Sequence, residues 1–417
     1  MNHFQYKGDE LFAEDVSIRE IVAKVGSPVY IYSLATLERH FKVFDDAFAA
    51  MPHTICYSVK ANSTQSVLKT FIRLGGGVDI VSGGELYRAL RAGVDPQKVV
   101  YSGVGKKNEE IEYALNSGIL MFNVESEQEL TRISEIASRL GKKAGIAIRV
   151  NPDVDPGTHP YITTGLKNAK FGITIDRAMA EYVRAASLPG IEVLGIDMHI
   201  GSQLTKVAPF VDSIEKLKLM IARLRTQGID LRYFDCGGGL GIQYNDEEPP
   251  MPADYGREIV NATRELGLHL LFEPGRNLVG NAGILVGTCL YTKQRDDKNF
   301  IMIDAGMNDL ARPTLYGSFH GVRPVVKDQD GMIVADIVGP ICESGDFLVK
   351  DREVPMFRQG DLVAFMSAGA YGFAMSSSYN SRPRVAEVMV SGDRFEVVRE
   401  RETMEDLIRG ERVASFL

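Results

Sequence analysis

The segment LLFEPGRN, residues 270–277, completes a series of eight short apolar runs that together indicate the fold. Between residues 53 and 273 these runs alternate with amphipathic stretches, a pattern typical of strand–helix units around a parallel sheet. Eight such units in about 220 residues match an α/β fold of the (β/α)8 TIM barrel type, for which about 250 residues are usual. The runs are TICYSV (54–59), VDIV (78–81), VVYS (99–102), LMFNV (120–124), GIAIRV (145–150), VLGIDMHI (193–200), YFDC (233–236) and LLFE (270–273).

An open, doubly wound parallel sheet is the structural alternative. The barrel is favoured because the unusual polar residues follow the carboxyl ends of the strands, where barrel active sites are built. The stretch between Ser126 and Gly141 is typical of the predicted helices: Ser126 is placed to cap the first turn and the glycine to end the last. Its apolar face consists of Leu130, Ile133, Ile136, Ala137 and Leu140.

After Glu273 the pattern changes to short alternating strands separated by turns, such as GILVGTCLYTK (283–293) and MIVADIVGP (332–340). These strands predict an antiparallel β domain of barrel or sandwich type. The opening segment, 4–33, has a helix-like stretch at 16–25 and a strand, PVYIYS. We expect this segment to join the β domain in part. The predicted domains are therefore a barrel at 30–280 and a β domain at 281–417 that includes part of 1–29.

Composition excludes several classes of protein. The 47 Lys and Arg and 55 Asp and Glu give a net charge of -8 with no basic run, which argues against a nucleic-acid partner. The uncharged stretch 278–292 falls short of the ~20 apolar residues of a membrane span. The acidic opening MNHFQYKGDELFAED predicts a cytoplasmic protein. The scattered cysteines, Cys56, Cys236, Cys289 and Cys342, predict neither a disulfide framework nor a metal site.

Lys60 follows the first barrel run in the sequence YSVKAN (57–62). Burial in a barrel mouth disfavours a charged ammonium, and a neutral amine is the nucleophile that forms an imine with a carbonyl. The alternative is a surface lysine in a loop.

The seventh run leads into DCGGGLG (235–241), where consecutive glycines expose backbone N–H groups that suit a phosphate. The loops after strands seven and eight are the usual phosphate site of this barrel, although the run is also compatible with a simple tight turn. The spacing does not fit a dinucleotide-binding GxGxxG motif.

Further polar residues follow strands six and eight. Glu273 is placed to pair with a protonated ring nitrogen, and Arg276 to bind a carboxylate or phosphate. His199 is placed to stack on a ring and Ser202 to bind a phosphate oxygen; structural roles are the alternative for the histidine and for a Glu–Arg pair. A lysine, a carboxylate, a histidine and a glycine loop at one barrel mouth are the parts that bind pyridoxal 5'-phosphate (PLP).

The order of motifs over nearly the whole chain resembles that of the diaminopimelate decarboxylases, PLP enzymes of the alanine racemase and ornithine decarboxylase fold type. The most specific motifs are RPTLY and GPICESGD, whereas YSVKAN and EPGR are similar to those of related decarboxylases. The motifs are YSVKAN (57–62), VDIVSGGEL (78–86), HIGSQ (199–203), DCGGGLG (235–241), EPGR (273–276), RPTLY (312–316), GPICESGDFL (339–348) and AYGFAMSSSYN (370–380).

The resemblance implies that Lys60 holds PLP covalently, Glu273 keeps the ring nitrogen protonated and His199 stacks on the ring. The implied further cofactor contacts are Asp79, Ser202, Gly238, Gly239, Gly241, Pro274, Gly275, Arg276 and Tyr371, whereas Leu240 within the glycine loop has no assigned role. The implied substrate contacts are Arg276, Arg312, Tyr316, Glu343 and Tyr371. Cys342 would donate the proton that replaces carbon dioxide, from a loop that enters the partner's site in an obligate homodimer.

The activity implied by the resemblance is decarboxylation of meso-2,6-diaminopimelate to L-lysine, the final step of lysine biosynthesis. A decarboxylase for ornithine, arginine, carboxynorspermidine or a carrier-bound amino acid is the first alternative, followed by an alanine racemase and by a PLP carrier without turnover. The segment 151–170, which contains three prolines, is a candidate lid.

Overall fold

A computed structural model of the chain describes residues 2–154, 170–296 and 298–417. Residues 155–169, which make up most of the candidate lid, lie outside the described residues. The chain forms two compact units, one of residues 38–278 and one that combines 1–37 with 279–417. Among the described helices, none offers the length of apolar surface that a bilayer span requires.

The opening segment contains a small antiparallel sheet and the first two helices. Ser17 caps α1, since its Oγ accepts a hydrogen bond from the Glu20 amide at 3.3 Å. The elements are β1 (Phe4–Lys7), β2 (Glu10–Ala13), β3 (Val16–Ser17), α1 (Ile18–Val25), β4 (Val29–Ser33) and α2 (Leu34–Asp46).

Eight parallel strands close into a barrel, which confirms the predicted fold. The strands are β5 (His53–Ser58), β6 (Gly77–Ile80), β7 (Val99–Tyr101), β8 (Met121–Val124), β9 (Ala144–Asn151), β11 (Ile191–Asp197), β12 (Tyr233–Asp235) and β13 (His269–Phe272). The pairing of Leu271 in β13 with Thr54 in β5 closes the ring, so the open-sheet alternative is wrong. A two-residue strand, β10 (Ile173–Thr174), adds to β9.

Helices follow the barrel strands along the chain. They are α3 (Gln65–Arg73), α4 (Gly83–Ala92), α5 (Asn108–Ser117), α6 (Glu127–Arg139), α7 (Ile175–Ser187), α8 (Ala208–Thr226), α9 (Pro252–Thr263) and α10 (Arg276–Val279). The predicted cap of α6 is present, because Ser126 Oγ accepts from the Glu129 amide at 3.2 Å. Gly141 lies just beyond the helix with a φ of 63°.

The second unit is β-rich, as predicted. Its strands are β14 (Gly283–Arg295), β15 (Lys298–Ile303), β16 (Val322–Pro324), β17 (Met332–Val338), β18 (Phe347–Pro355), β19 (Leu362–Phe365), β20 (Ala386–Ser391) and β21 (Arg394–Arg399), with the short helices α11 (Arg312–Tyr316) and α12 (Met404–Leu407). Most pairings are antiparallel, but β15 pairs with β17 and β4 with β20 in parallel, so the sheet is mixed. The predicted strand PVYIYS lies in this sheet as β4, between β14 and β20.

Candidate active site

Lys60 lies just beyond β5, in a short 3-10 turn over Val59–Ala61. Its Nζ atom is 2.7 Å from Oδ2 of Asp79, an aspartate with no exposed side-chain surface at the neighbouring strand β6. Ser58 Oγ lies 2.8 Å from the same oxygen. The lysine therefore points to a buried acid and is held at the mouth of the barrel.

A second group of acids lies inside the barrel around Glu273, at the end of β13. Single oxygens of Asp197, Asp235 and Glu273 lie within 4.8 Å of one another. Burial raises the pKa of Glu273 well above its usual range, and the charges of Asp235 and Asp79 add to this effect. Burial and the Asp197 charge also raise the pKa of Asp235 to about 8. An interior this rich in acids favours a cationic group such as a protonated ring nitrogen; the same spacing suits a metal ion, so the expectation of no metal stays a prediction.

His199 follows β11, with its ring beside the glycine loop. Its Nδ1 atom accepts a hydrogen bond from the Gly238 amide at 3.1 Å, which assigns the ring proton to Nε2. Burial lowers the pKa of His199 well below its ordinary value, and the positive charges of Arg149 and Lys60 lower it further. The imidazole is therefore neutral and suited to stacking on another ring.

Two glycines of the loop after β12 have no room for a side chain. A Cβ atom on Gly238 would lie 2.2 Å from the Glu273 carbonyl oxygen, and one on Gly239, where φ is +113°, would lie 2.4 Å from that of Gly201. Nearby, Arg276 donates from Nη2 to Ser202 Oγ at 3.1 Å and from Nη1 to the Tyr244 hydroxyl at 2.7 Å. The amides of Gly237, Gly238 and Gly241 donate within the protein, so the other amides of this loop and the Arg276 guanidinium are the donors of the kind that bind phosphate.

The remaining predicted site residues lie in the β-rich unit. Arg312, in α11, is buried, and its Nη1 atom lies 2.9 Å from Nε2 of His320. Because Nδ1 of His320 lies 2.8 Å from the Met366 carbonyl, it is the protonated nitrogen, and Nε2 accepts from Arg312. Tyr316 ends the same helix and is partly buried.

The turn ICESGD (341–346) carries polar groups at the surface of this chain. Cys342 and Glu343 are exposed, and the Cys342 amide donates to Asn380 Oδ1 at 2.7 Å. Asp346 anchors the turn, since its Oδ2 atom accepts from the Ile341 amide at 2.7 Å. Tyr371 has a φ of 55°, in the left-handed region that few non-glycine residues adopt.

The structure brings the predicted barrel residues together around one mouth and also adds residues that the sequence did not point out. Ser102 and Asn123 both contact Glu273, Tyr244 contacts Arg276, and His320 contacts Arg312. The sequence could have indicated Ser102 and Asn123 as site residues, because each is a polar residue in or next to an apolar barrel strand. Tyr244 and His320 gave no comparable signal.

Comparisons with known proteins agree on one family. A family model described as pyridoxal-dependent decarboxylase, pyridoxal binding domain, matches residues 34–280. A curated diaminopimelate decarboxylase of Pseudomonas aeruginosa is 51% identical over 411 residues, which cover 99% of each chain. One of Vibrio cholerae is 52% identical over 409 residues, 98% of each chain. The crystal structure of diaminopimelate decarboxylase from Helicobacter pylori complexed with L-lysine superposes with a TM-score of 0.91 at 42% identity, over 94% of this chain and 98% of that one.

Proposed function

The chain belongs to the diaminopimelate decarboxylase family of PLP-dependent carboxy-lyases, and we propose that it converts meso-2,6-diaminopimelate to L-lysine and carbon dioxide, the final step of lysine biosynthesis. The observation that carries this proposal is the pairing of Lys60 with the buried Asp79 at the mouth of a barrel whose interior holds Glu273. In this proposal, the domain of residues 30–280 binds the cofactor. The domain of residues 281–417, with part of 1–29, supplies groups that contact the substrate.

The residues of the barrel fit PLP. When bound, the cofactor supplies an electron sink for the bond that breaks. Lys60 holds it covalently, supported by Asp79, while Glu273 pairs with the ring nitrogen and the neutral His199 stacks on the ring face. The phosphate contacts in this proposal are Ser202, Gly238, Gly239, Gly241, Pro274, Gly275 and Arg276, and the position of the Arg276 guanidinium beside Ser202 Oγ supports them.

The β-rich unit supplies the groups that act on the substrate. Arg312 and Tyr316, together with Arg276 of the barrel, bind carboxylates, and Glu343 binds the distal ammonium. Tyr371 contacts both the cofactor and the substrate. Departure of carbon dioxide leaves an electron pair at Cα, and Cys342 donates the proton that forms the new C–H bond.

The working form in this proposal is a cytoplasmic homodimer with two shared active sites. Supporting this assembly, Cys342 and Glu343 are exposed on the surface of the single chain, where the ICESGD turn is accessible to a partner. The free thiols of all four cysteines fit a reducing compartment.

The deciding experiment measures carbon dioxide and lysine release from meso-diaminopimelate with added PLP. Ornithine, arginine and the LL isomer serve as controls. Turnover of the meso compound alone is the expected result. Turnover of ornithine or arginine instead would be consistent with PLP chemistry but would show that Arg312, Tyr316 and Glu343 do not recognise the distal end of the substrate. No turnover of any of the four compounds would favour a PLP carrier.

A further inference from the structure

The Glu273 carboxylate is held through one of its two oxygens. Ser102 Oγ donates to Oε1 at 3.0 Å, and Asn123 Nδ2 lies 3.1 Å from the same atom. In the described part of the chain, no hydrogen-bond donor reaches Oε2. Two fixed donors at Oε1 therefore set the direction in which Oε2 points.

Asn123 also stands between two acids. Its Nδ2 atom lies 3.1 Å from Oδ2 of Asp235, whose Oδ1 accepts from the Gly237 amide at 3.0 Å. Asn123 has no exposed surface, so bulk water does not compete for these bonds in the folded protein. Without the amide, both carboxyl groups would lose a fixed hydrogen-bond donor, and Glu273 would keep only Ser102 to set its direction. Asn123 thus affects the orientation of Glu273.

We propose that Asn123, assisted by Ser102, is a positioning residue that keeps the Glu273 carboxyl group oriented, and so determines how strongly that group binds the ring nitrogen of PLP. This inference rests on the function proposed above. Asn123 acts through Glu273 and does not itself touch the substrate.

The test uses the full-length protein with three variants: Asn123→Ala, the isosteric Asn123→Asp and Ser102→Ala. Ser134→Ala is the matched control, because Ser134 is also buried in the barrel unit but donates to the Pro189 carbonyl at 2.7 Å. The first readout is the dissociation constant of PLP, titrated into the cofactor-stripped protein. The second is the ¹⁵N shift of the ring nitrogen in protein loaded with labelled PLP, which a merely structural change would not move.

Both Asn123 variants should bind PLP on the order of tenfold or more weakly, with a smaller loss for Ser102→Ala and none for the control. The nitrogen shift should move toward that of an unprotonated ring. In a Glu273→Gln background the effect of Asn123→Ala should disappear, because the residue through which it acts is gone.

Affinities within twofold of wild type and an unchanged nitrogen shift would overturn the inference. If Asn123→Ala fails to fold, Asn123→Asp and Ser102→Ala decide the question by the same two readouts. A wild-type protein that binds PLP and turns over the meso substrate keeps the proposed function whatever these variants do. A wild-type protein that does not bind PLP would remove the proposed function itself.

Discussion

Lys60 Nζ and Asp79 Oδ2 lie 2.7 Å apart although the residues come from different strand–helix units. The register of the barrel brings them together, since Ser58 of β5 pairs with Asp79 of β6 and Lys60 follows two residues later. The buried carboxylate holds the amine of a flexible side chain in one place, as covalent attachment of a cofactor requires.

Replacing Lys60 by Ala should abolish turnover and covalent retention of PLP. The check is borohydride reduction followed by denaturation and mass measurement, which should find the cofactor mass on wild type and not on the variant. Lys143→Ala, a change at an exposed lysine of the same unit, should retain both properties. If the Lys60 variant still turned over the substrate, catalysis would not depend on attachment of PLP to this residue.

Replacing Gly238 by Ala should weaken PLP binding and lower the thermal stability of the protein. The added Cβ would lie 2.2 Å from the Glu273 carbonyl oxygen, so both the glycine loop and the end of β13 would have to shift. Gly105→Ala is the matched control, since a Cβ there meets nothing within 4 Å. Thermal melts and PLP titrations of the two variants measure the difference; equal affinity for PLP would place the phosphate elsewhere.

Replacing Cys342 by Ala should lower kcat by about 100-fold or more, the usual contribution of a positioned proton donor. Covalent retention of PLP should be unchanged, because Lys60 and the barrel remain intact. Steady-state kinetics and the borohydride assay separate the two effects. Full activity of the alanine variant would assign the proton to another group.

The barrel strands were predictable because strands of a parallel barrel are buried on both faces and read as continuous apolar runs. The contact of Asn123 with Asp235 and Glu273 was not, since it joins β8 to β12 and β13 over separations of 112 and 150 residues. Only closure of the ring brings these side chains together. The strand β18, FLVKDREVP, lacks a clear alternation because charged residues occupy its exposed middle.

The pKa of Asp235, raised to about 8, predicts a specific pH dependence of stability. An unfolded aspartate has a pKa of about 3.9, so the folded chain binds this proton more tightly than the unfolded chain does. The stability contributed by this proton is fully present below about pH 4 and is lost as the pH rises to about 8. Above that pH the contribution is constant.

Asp235→Asn removes this titration, so the free energy of unfolding of wild type should fall relative to that of the variant by up to about 1.4 kcal/mol per pH unit between pH 5 and 8. Burial and the Asp235 charge also raise the pKa of Glu273, and relieving Glu273 of that charge changes the difference in the same direction. Urea unfolding at several pH values measures the difference, with Asp230→Asn as the exposed control. A difference that stays constant from pH 5 to 8 would mean that Asp235 is already ionised inside the barrel, and Asn123 would then separate two charged carboxylates.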